Sequence, residues 1–426
     1  MPRRTIRSSS IPTLSLTPDE VHKVEDVATA LLNQTLQIES EFFANDGEVD
    51  EQHWKQLKSQ GNFSIFKERN LEDKAATTAG TRPDTIDCDD IVFSSKRAQV
   101  PMIVATGEVD GSVDDAVFGF AGGDIPAWRT RTIYIGDQFT DAKIVATIHK
   151  PTVEEPLNYF CIKWFVHEFP VILNAFVNPR DFLQAEAAGV KVDEQGERFG
   201  YYMLHEFEHP TIAKLDPYGV FRGSISLVFI MRQVGPGRIH IFSRGYVDPR
   251  GDLSTSYTAL LTAKGMCTVP QTVNASYYKK MVWLMAQQDR EHNDKDPRDR
   301  ASSMELSQAD ACAACAKSPG FLKSKFEACR LCQERFCSRC IIEQSLVLDV
   351  SGTEAIKRTL PFCLACILKA KQTPPRAVAV DAVKQAHGCK ESTFSHYTVS
   401  DASTGDLYTL SVRSFNSDEM SERSGW

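Results

Sequence analysis

Eight cysteines near the carboxyl-terminal third of the chain are the residues best suited to chemistry. They form four C-x2-C pairs, separated by thirteen, four and twenty-two residues. In chain order they are Cys312, Cys315, Cys329, Cys332, Cys337, Cys340, Cys363 and Cys366. A C-x2-C turn places two thiolates on one tetrahedral ion, and two such pairs close a four-thiolate site. The spacing therefore predicts two structural Zn2+ ions with no open coordination position.

Other interpretations of these cysteines fit less well. A redox C-x2-C needs one motif beside a βαβ pattern rather than four pairs. Chance clustering does not explain four regular pairs. RING-type fingers place a His shortly after the third ligand, and this chain has none there. Zinc-dependent ubiquitin transfer is therefore not expected.

A second metal motif is present in the sequence before the cysteines. His205, Glu206 and His209 match H-E-x-x-H, which on a helix would bring two imidazoles onto zinc with the Glu as general base. Pro210 follows directly, and the flanking composition is typical of a strand. A strand would hold the two His about 13 Å apart. We therefore interpret this motif as a chance match.

Composition describes an ordinary globular protein. The 426 residues are 42% hydrophobic and 24% charged. No apolar run approaches the roughly 20 residues of a membrane-spanning helix. The first residues, MPRRTIRSSSIPTLSL, lack the apolar stretch of roughly 7 to 15 residues that a secretory signal needs. We expect a cytoplasmic location, where reduced cysteines bind metal rather than form disulfides.

Charge is distributed unevenly along the chain. Between Cys312 and Lys371 there are ten Lys or Arg and five Asp or Glu, a formal charge of +5. The whole chain carries −8, so the remaining residues carry −13. A basic module is thus joined to an acidic body, and residues 1–290 contain no P-loop, dinucleotide fingerprint or nucleophile elbow. We expect no enzymatic activity and no nucleic-acid partner.

The elements that would carry these residues can be read from periodicity. Thr17, Pro18 and Glu20 predict a helix start with a capping box, and the helix extends to about Phe43. Short β-branched and aromatic runs predict an antiparallel sheet. These runs are 102–106, 132–135, 143–149, 159–166, 223–234 and 238–247.

A closing helix is predicted after Pro270. Its apolar stripe consists of Val273, Tyr277, Met281, Leu284 and Met285, and it could cover the sheet. We expect the following organisation: a flexible amino terminus at 1–16, a body at 17–290, a charged linker at 291–304, the cysteine module at 305–371 and a largely disordered tail at 372–426.

Residues 329–340, CRLCQERFCSRC, resemble the C-R-x-C-x-x-x-F-C-x-x-C core of FYVE-type zinc fingers, and the resemblance covers about 305–371. It implies a cross-brace in which Cys312, Cys315, Cys337 and Cys340 hold one zinc and Cys329, Cys332, Cys363 and Cys366 the other. FYVE fingers read phosphatidylinositol 3-phosphate through RRHHCR, WxxD and RVC motifs. Here the basic stretch is KFEACR at 325–330, no WxxD precedes Cys312, and Pro361-Phe362-Cys363 replaces RVC.

A candidate membrane contact lies inside this module. Phe321 and Leu322 form an apolar tip beside Lys323 and Lys325, which suits shallow insertion into an anionic surface. By the FYVE resemblance, Arg330 is the second cation kept from the basic motif. The alternative is a protein-binding or solvated loop, because Glu327 places a carboxylate in that basic stretch.

Residues 54–288 resemble START-type lipid-binding domains. The likeness rests on Trp54 with FSIF at 63–66, NPRDF at 178–182, FRG at 221–223, YVDPRGD at 246–252 and the closing helix. It implies an α+β helix-grip fold, a curved antiparallel sheet around a C-terminal helix, with a lipid in an apolar cavity. Arg180 with Asp181 is as consistent with a structural ion pair as with a headgroup contact.

Together these patterns predict a lipid-binding, membrane-associated adaptor, peripheral on endosomal membranes. Its START-like body would hold a lipid, and its FYVE-like finger would target a membrane or a partner. The alternative is a protein–protein interaction adaptor that does not bind phosphoinositides.

Overall fold

The computed structural model describes two compact units. The described residues are 6–69, 90–136, 139–167, 177–251, 253–294, 311–318, 326–351, 354–388 and 408–411. We call the unit that contains residues up to 273 the sheet unit and the unit of residues 274–414 the cysteine unit.

The sheet unit is built on one large sheet. Its strands are β1 (Trp54–Gln60), β2 (Phe63–Glu68), β3 (Ile103–Asp110), β4 (Asp141–His149), β5 (Tyr159–His167), β6 (Arg180–Val192), β7 (Arg198–Glu206), β8 (Phe221–Arg222), β9 (Ser224–Gly235) and β10 (Arg238–Asp248). Neighbouring strands follow the order β1-β2-β3-β10-β9-β7-β6-β5-β4. All of these pairs are antiparallel, and the short β8 pairs in parallel with β6.

Helices lie on both faces of this sheet. They are α1 (Pro18–Ala44), α2 (Ile91–Ser95), α3 (Val113–Phe120), α4 (Ile125–Ile135) and α5 (Thr255–Met266). Phe199 and Met203 of β7 share a buried core with Leu31 of α1. Because strand side chains alternate, Tyr202 points to the other face, where its ring stacks on Phe120 of α3 at 4.1 Å. A two-sided sheet of this kind supports a large core.

The start of α1 is formed as predicted. The Thr17 backbone N–H donates to Glu20 Oε2 at 2.8 Å, and the Glu20 N–H donates to the Thr17 hydroxyl at 3.3 Å. Pro18 is the first helical residue. The capping box is therefore confirmed, and it satisfies backbone donors that have no partner within the helix.

Residues 132–135, predicted as a strand, lie in helix α4 instead. Asp124 caps that helix by accepting from the Ala127 N–H at 2.7 Å. Pro126 stands in its first turn, and Gly136 ends it with φ 78°. These end signals outweigh the β-branched composition of the last turn.

The described part of the amino terminus is packed rather than free. Ile11 and Leu14 are buried in the sheet-unit core. The Leu14 N–H donates to the carbonyl of Val145 on β4 at 2.7 Å. This differs from the flexible segment predicted for 1–16, because two apolar residues in a Ser- and Thr-rich stretch suffice to dock it.

The described part of the cysteine unit contains small sheets and three helices. Helix α6 (Gln271–Asp294) begins at the end of the sheet unit and continues into the cysteine unit. Its other described elements are β11 (Glu327–Ala328), β12 (Arg335–Phe336), β13 (Ile341–Ser351), β14 (Glu354–Cys363), α7 (Leu364–Gln372), α8 (Pro375–Gly388) and β15 (Tyr408–Ser411). Helix α8 and strand β15 fall within 372–426, where the sequence predicts a largely disordered tail.

Part of the apolar stripe of α6, which the sequence predicts to cover the sheet, packs inside the cysteine unit. Met281 and Met285 are buried in one cluster with Leu346 and Phe362 of the β13–β14 hairpin. These residues of α6 therefore form part of the core of the cysteine unit. The helix also runs to Asp294, into the predicted linker, and residues 295–310 lie outside the described residues.

The predicted fold class is confirmed. The chain is α+β, with a curved antiparallel sheet and a small module that carries two four-cysteine groups. None of the helices in the described ranges combines the length and apolarity needed to cross a membrane.

Candidate metal centres and a buried polar cluster

Two groups of four cysteines converge in the cysteine unit. Cys312, Cys315, Cys337 and Cys340 form one group, and Cys329, Cys332, Cys363 and Cys366 form the other. This is the interleaved order that the FYVE resemblance implies. Within each group all four Sγ atoms lie within 4.8 Å of one another.

The sulfur geometry fits a tetrahedral metal. Sγ of Cys315 lies 3.8 Å from Sγ of Cys337, and Cys332 and Cys363 have the same separation. A tetrahedron with metal–sulfur bonds of about 2.3 Å has edges of about 3.8 Å. A disulfide would need about 2.05 Å. The donor sets thus match four-thiolate sites.

The first pair of each group sits on the same kind of turn. Ala316 follows Cys315 with φ 55°, and Gln333 follows Cys332 with φ 61°. In each turn this residue donates its N–H to the carbonyl of the first cysteine, at 2.8 Å for Ala316 and 2.9 Å for Gln333. The left-handed residue folds the chain back so that both thiols face one point.

The second pair of each group comes from the start of a regular element. Cys340 directly precedes β13, and Cys363 is the N-cap of α7. Backbone N–H groups also point at sulfur: Cys337 N–H donates to Cys312 Sγ at 3.4 Å, and Cys363 N–H to Cys329 Sγ at 3.3 Å. The Cys337 N–H lowers the pKa of Cys312 to about 6, which favours the thiolate that a metal requires.

Of the predicted membrane-contact residues, Phe321, Leu322, Lys323 and Lys325 lie outside the described residues. Arg330 is among the described residues, and its side chain already has a carboxylate partner. Its Nη2 donates to both carboxylate oxygens of Asp289 on α6, each at 3.2 Å. A phosphate would therefore compete with an existing carboxylate for this guanidinium.

The H-E-x-x-H motif does not form a metal site. His205 lies in β7, with Nδ1 2.9 Å from the Ser226 hydroxyl. His209 follows the strand, and its Nε2 lies 3.3 Å from Glu20 Oε1 of α1. Across the described ranges, the His, Cys, Asp and Glu groups that could hold a metal are the two cysteine groups. The predicted strand position of His205 is confirmed, and burial lowers the pKa of His205 to about 4.

A cluster of charged side chains is buried on the α3 and α4 face of the sheet, and the sequence interpretation missed it. Glu186 Oε1 accepts from Lys163 Nζ at 2.6 Å, Arg131 Nη1 at 2.7 Å and the Tyr159 hydroxyl at 2.6 Å. The side chains of Lys163 and Glu186 are 0% exposed, and that of Arg131 is 2% exposed. Two cations thus share a single carboxylate oxygen.

The charge state of this cluster follows from its neighbours. Burial alone would raise the pKa of Glu186, but Arg131 and Lys163 lower it to about 2. Burial lowers the pKa of Lys163, and it raises that of Tyr159 well above its usual range. The carboxylate is therefore ionised at neutral pH, and the tyrosine is protonated.

The walls around this buried polar cluster are aromatic. Lys163 Nζ lies 4.3 Å from the centroid of a Trp128 ring, and the Arg131 guanidinium carbon lies 5.4 Å from the Tyr202 ring centroid. The second oxygen, Glu186 Oε2, accepts from Gln184 Nε2 only at 3.4 Å. Gln184 Oε1 is buried without a hydrogen-bond partner among the described residues. Buried groups of this kind can orient the polar end of a ligand.

A sequence signal for the cluster does exist. Lys163 stands alone among apolar residues in YFCIKWFV at 159–166, and Glu186 is likewise isolated in FLQAEAAGV at 182–190. A charge inside an apolar strand needs a buried partner. What the sequence cannot supply is the register that pairs these strands.

Arg180 and Asp181 have structural partners. Arg180 donates to the carbonyls of Pro249 and Arg250, each at 3.0 Å. Asp181 accepts from Arg222 at 2.7 Å and from the Trp164 indole at 2.9 Å. These bonds give both residues structural roles, and Arg222 is an ion-pair partner of Asp181.

No family model matches the chain, and no curated protein does. Solved structures are similar to it. Human StAR-related lipid transfer protein 5 is 15% identical over 58% of this chain and 97% of that chain, with a TM-score of 0.36. Human STARD10 is 14% identical over 55% and 77%, with a TM-score of 0.35. The lipid transfer and protein localization domain of human StarD13 is 15% identical over 57% and 95%, with a TM-score of 0.34.

Proposed function

We propose that this chain is a non-enzymatic, lipid-binding adaptor. Its START-like sheet unit holds a lipid in an apolar cavity, and its FYVE-like cysteine unit binds two Zn2+ ions and helps to place the protein on a membrane or a partner. The observation that carries the proposal is the buried polar cluster of Lys163, Glu186 and Arg131 on an aromatic face of the sheet.

The buried polar cluster supports a lipid because it combines two properties. Trp128 and Tyr202 supply apolar surface, which favours hydrocarbon. The shared Glu186 oxygen and the Gln184 amide supply a few fixed polar groups, which can orient a headgroup. A wholly apolar pocket would bind lipid tails without selecting the polar end.

The proposed zinc ions have a structural role. Each set of four thiolates fills a tetrahedral shell and leaves no position for a catalytic water. This supports an adaptor rather than an enzyme. When bound, the metal supplies the folding free energy of the small module.

The membrane role rests on the tip predicted from sequence. Phe321 and Leu322 would insert into an anionic surface, and Lys323, Lys325 and Arg330 would meet headgroups. We place the protein in the cytoplasm, peripheral on endosomal membranes. For Arg330 to meet a phosphate, its pair with Asp289 must open.

A specific observation favours the second candidate, a protein–protein interaction adaptor. Arg330 is already paired with Asp289, and Glu327 is exposed in β11 of the same basic stretch. Both carboxylates oppose an anionic headgroup. Asp289→Asn separates the two candidates. Increased binding to vesicles containing phosphatidylinositol 3-phosphate supports the headgroup role of Arg330, and unchanged binding supports the interaction adaptor.

Native mass spectrometry of the whole chain tests the main proposal, since one spectrum counts metals and bound lipids. We expect two zinc ions and a lipid-sized adduct. Lys163→Met should reduce that adduct while both metals stay bound. Two metals with no adduct, even after incubation with mixed liposomes, would overturn lipid binding.

A further inference from the structure

Helix α7 exposes leucines to solvent at the edge of a metal site. In the described part of the cysteine unit, the exposed large hydrophobic residues are Ile342, Leu364 and Leu368. Leu364 is 57% exposed and Leu368 44%. The two leucines are one helical turn apart, so they lie on one face of the helix. Together they form a small exposed apolar patch.

The opposite face of α7 is packed into the core of the cysteine unit. Cys366 and Ala370, also one turn apart, are buried in the unit's core. Cys363, a member of the second metal group, is the N-cap. The fully buried Lys280 of α6 donates from Nζ to the Lys371 carbonyl at 2.9 Å and so satisfies the carboxyl end of the helix. The leucines are therefore presented on a rigid support.

Cations flank the leucines on both sides. At about 100° per residue, Leu364 and Leu368 are about 40° apart, Lys371 lies about 20° beyond Leu364, and Lys369 lies about 100° beyond Leu368. Both lysines are exposed, and α7 (LACILKAKQ) contains no acidic residue. An apolar centre with lysines at its edges is the pattern of helices that lie in a membrane interface.

We infer that the outward face of α7, Leu364 and Leu368 with Lys369 and Lys371, contacts the anionic surface of a membrane. Charge complementarity selects this occupant: α7 carries two exposed lysines and no acid, the chain from Cys312 to Lys371 has a formal charge of +5, and negative lipid headgroups attract such a surface. Protein interfaces are instead depleted in lysine. The inference rests on the proposed membrane role of the cysteine unit and adds a second contact to the tip at Phe321 and Leu322.

Vesicle cosedimentation of the full chain tests the inference. The probes are vesicles of phosphatidylcholine alone and of phosphatidylcholine with phosphatidylserine. We expect Leu364→Ser with Leu368→Ser to weaken binding about tenfold or more, since two leucines lose their burial. The matched control is Leu260→Ser, a leucine of α5 that is 51% exposed, and it should bind like the wild type. Lys369→Gln should weaken binding only to vesicles that contain phosphatidylserine.

Native mass spectrometry shows whether the double variant keeps both metals. A second variant tests the inference by a gain of binding rather than a loss. Leu364→Trp with Leu368→Trp should bind vesicles more tightly, since Trp favours the membrane–water interface. Wild-type binding by the double Ser variant with two metals retained would overturn the inference. So would a change from dimer to monomer in that variant with vesicle binding unaltered, since a second copy would then be the occupant.

The outcomes separate this inference from the proposed function. If Phe321→Ser with Leu322→Ser abolishes binding and the α7 variants do not change it, the proposed tip stands and the inference fails. If the α7 variants abolish binding and the tip variant does not, the inference stands and the proposed tip fails. If the wild-type chain binds neither vesicle, both fail.

Discussion

The two units of this protein hold themselves together in different ways. The sheet unit buries a large apolar core and, inside it, side chains as polar as Lys163 and Glu186 at 0% exposure. The core of the cysteine unit instead includes four of its metal-group cysteines, together with Met281 and Met285 of α6. The first unit is stabilised by burial and complementary charge, whereas the proposed metal ions would stabilise the second.

Because of this difference, the two units should respond differently to the loss of metal. A small module with few apolar residues cannot bury enough surface to fold by itself. Bound metal would supply much of its folding free energy, and residues of α6 form part of its core. The sheet unit needs neither, so loss of metal should leave it folded.

The largest expected effect is that of Cys337→Ala. It removes one of four thiolates, and the loss of metal should cost the cysteine unit on the order of 10 kcal/mol. Hydrogen exchange followed by mass spectrometry should show lost protection in β13 and β14 and unchanged protection in β5 to β7. The control is Cys267→Ala, a buried cysteine outside the metal groups. Loss of protection in both units would contradict the comparison.

Glu186→Gln should destabilise the sheet unit by about 3–5 kcal/mol, because it leaves Lys163 and Arg131 buried without a carboxylate. Thermal unfolding with the metal count measured in parallel checks this result. The exposed Glu194→Gln is the matched control, with an expected change of about 0.5 kcal/mol or less. Equal effects from the two variants would show that the cluster contributes nothing to folding.

A smaller effect is expected from pH. Burial lowers the pKa of His205 from 6.5 to about 4, so the unfolded chain binds this proton more readily than the folded chain. The stability of the sheet unit should therefore fall as pH drops from about 6.5 to about 4, by up to about 3 kcal/mol. Denaturant unfolding at several pH values measures the slope. His205→Gln should flatten it, and an unchanged slope would assign the dependence to other groups.

Local sequence signals predicted much of the fold and of the metal groups. The capping box at Thr17 and the four C-x2-C pairs act over three to four residues, so the chain carries them whatever it packs against. Most of the predicted strands were identified correctly from runs of β-branched and aromatic residues. The strand prediction for 132–135 was wrong because the capping residues of helix α4, Asp124 and Gly136, lie outside those four residues.

The proposed membrane-contact residues could be identified from the sequence only in part. Arg330 was assigned from its place in a motif, and the sequence gives no sign that Asp289, 41 residues earlier, would hold it. The sequence analysis also did not single out α7. Apolar residues occur on several sides of LACILKAKQ, so the sequence does not show which of them are buried.

By itself, the sequence determined the class of each unit, the four C-x2-C pairs and the first helix, because those depend on near neighbours along the chain. Only the tertiary structure decided that Lys163, Arg131 and Glu186 meet, and that Met281 and Met285 serve the cysteine unit. Strand register and helix docking bring together residues tens of positions apart. Their partners are selected by burial and charge compensation in three dimensions, which no short window of sequence contains.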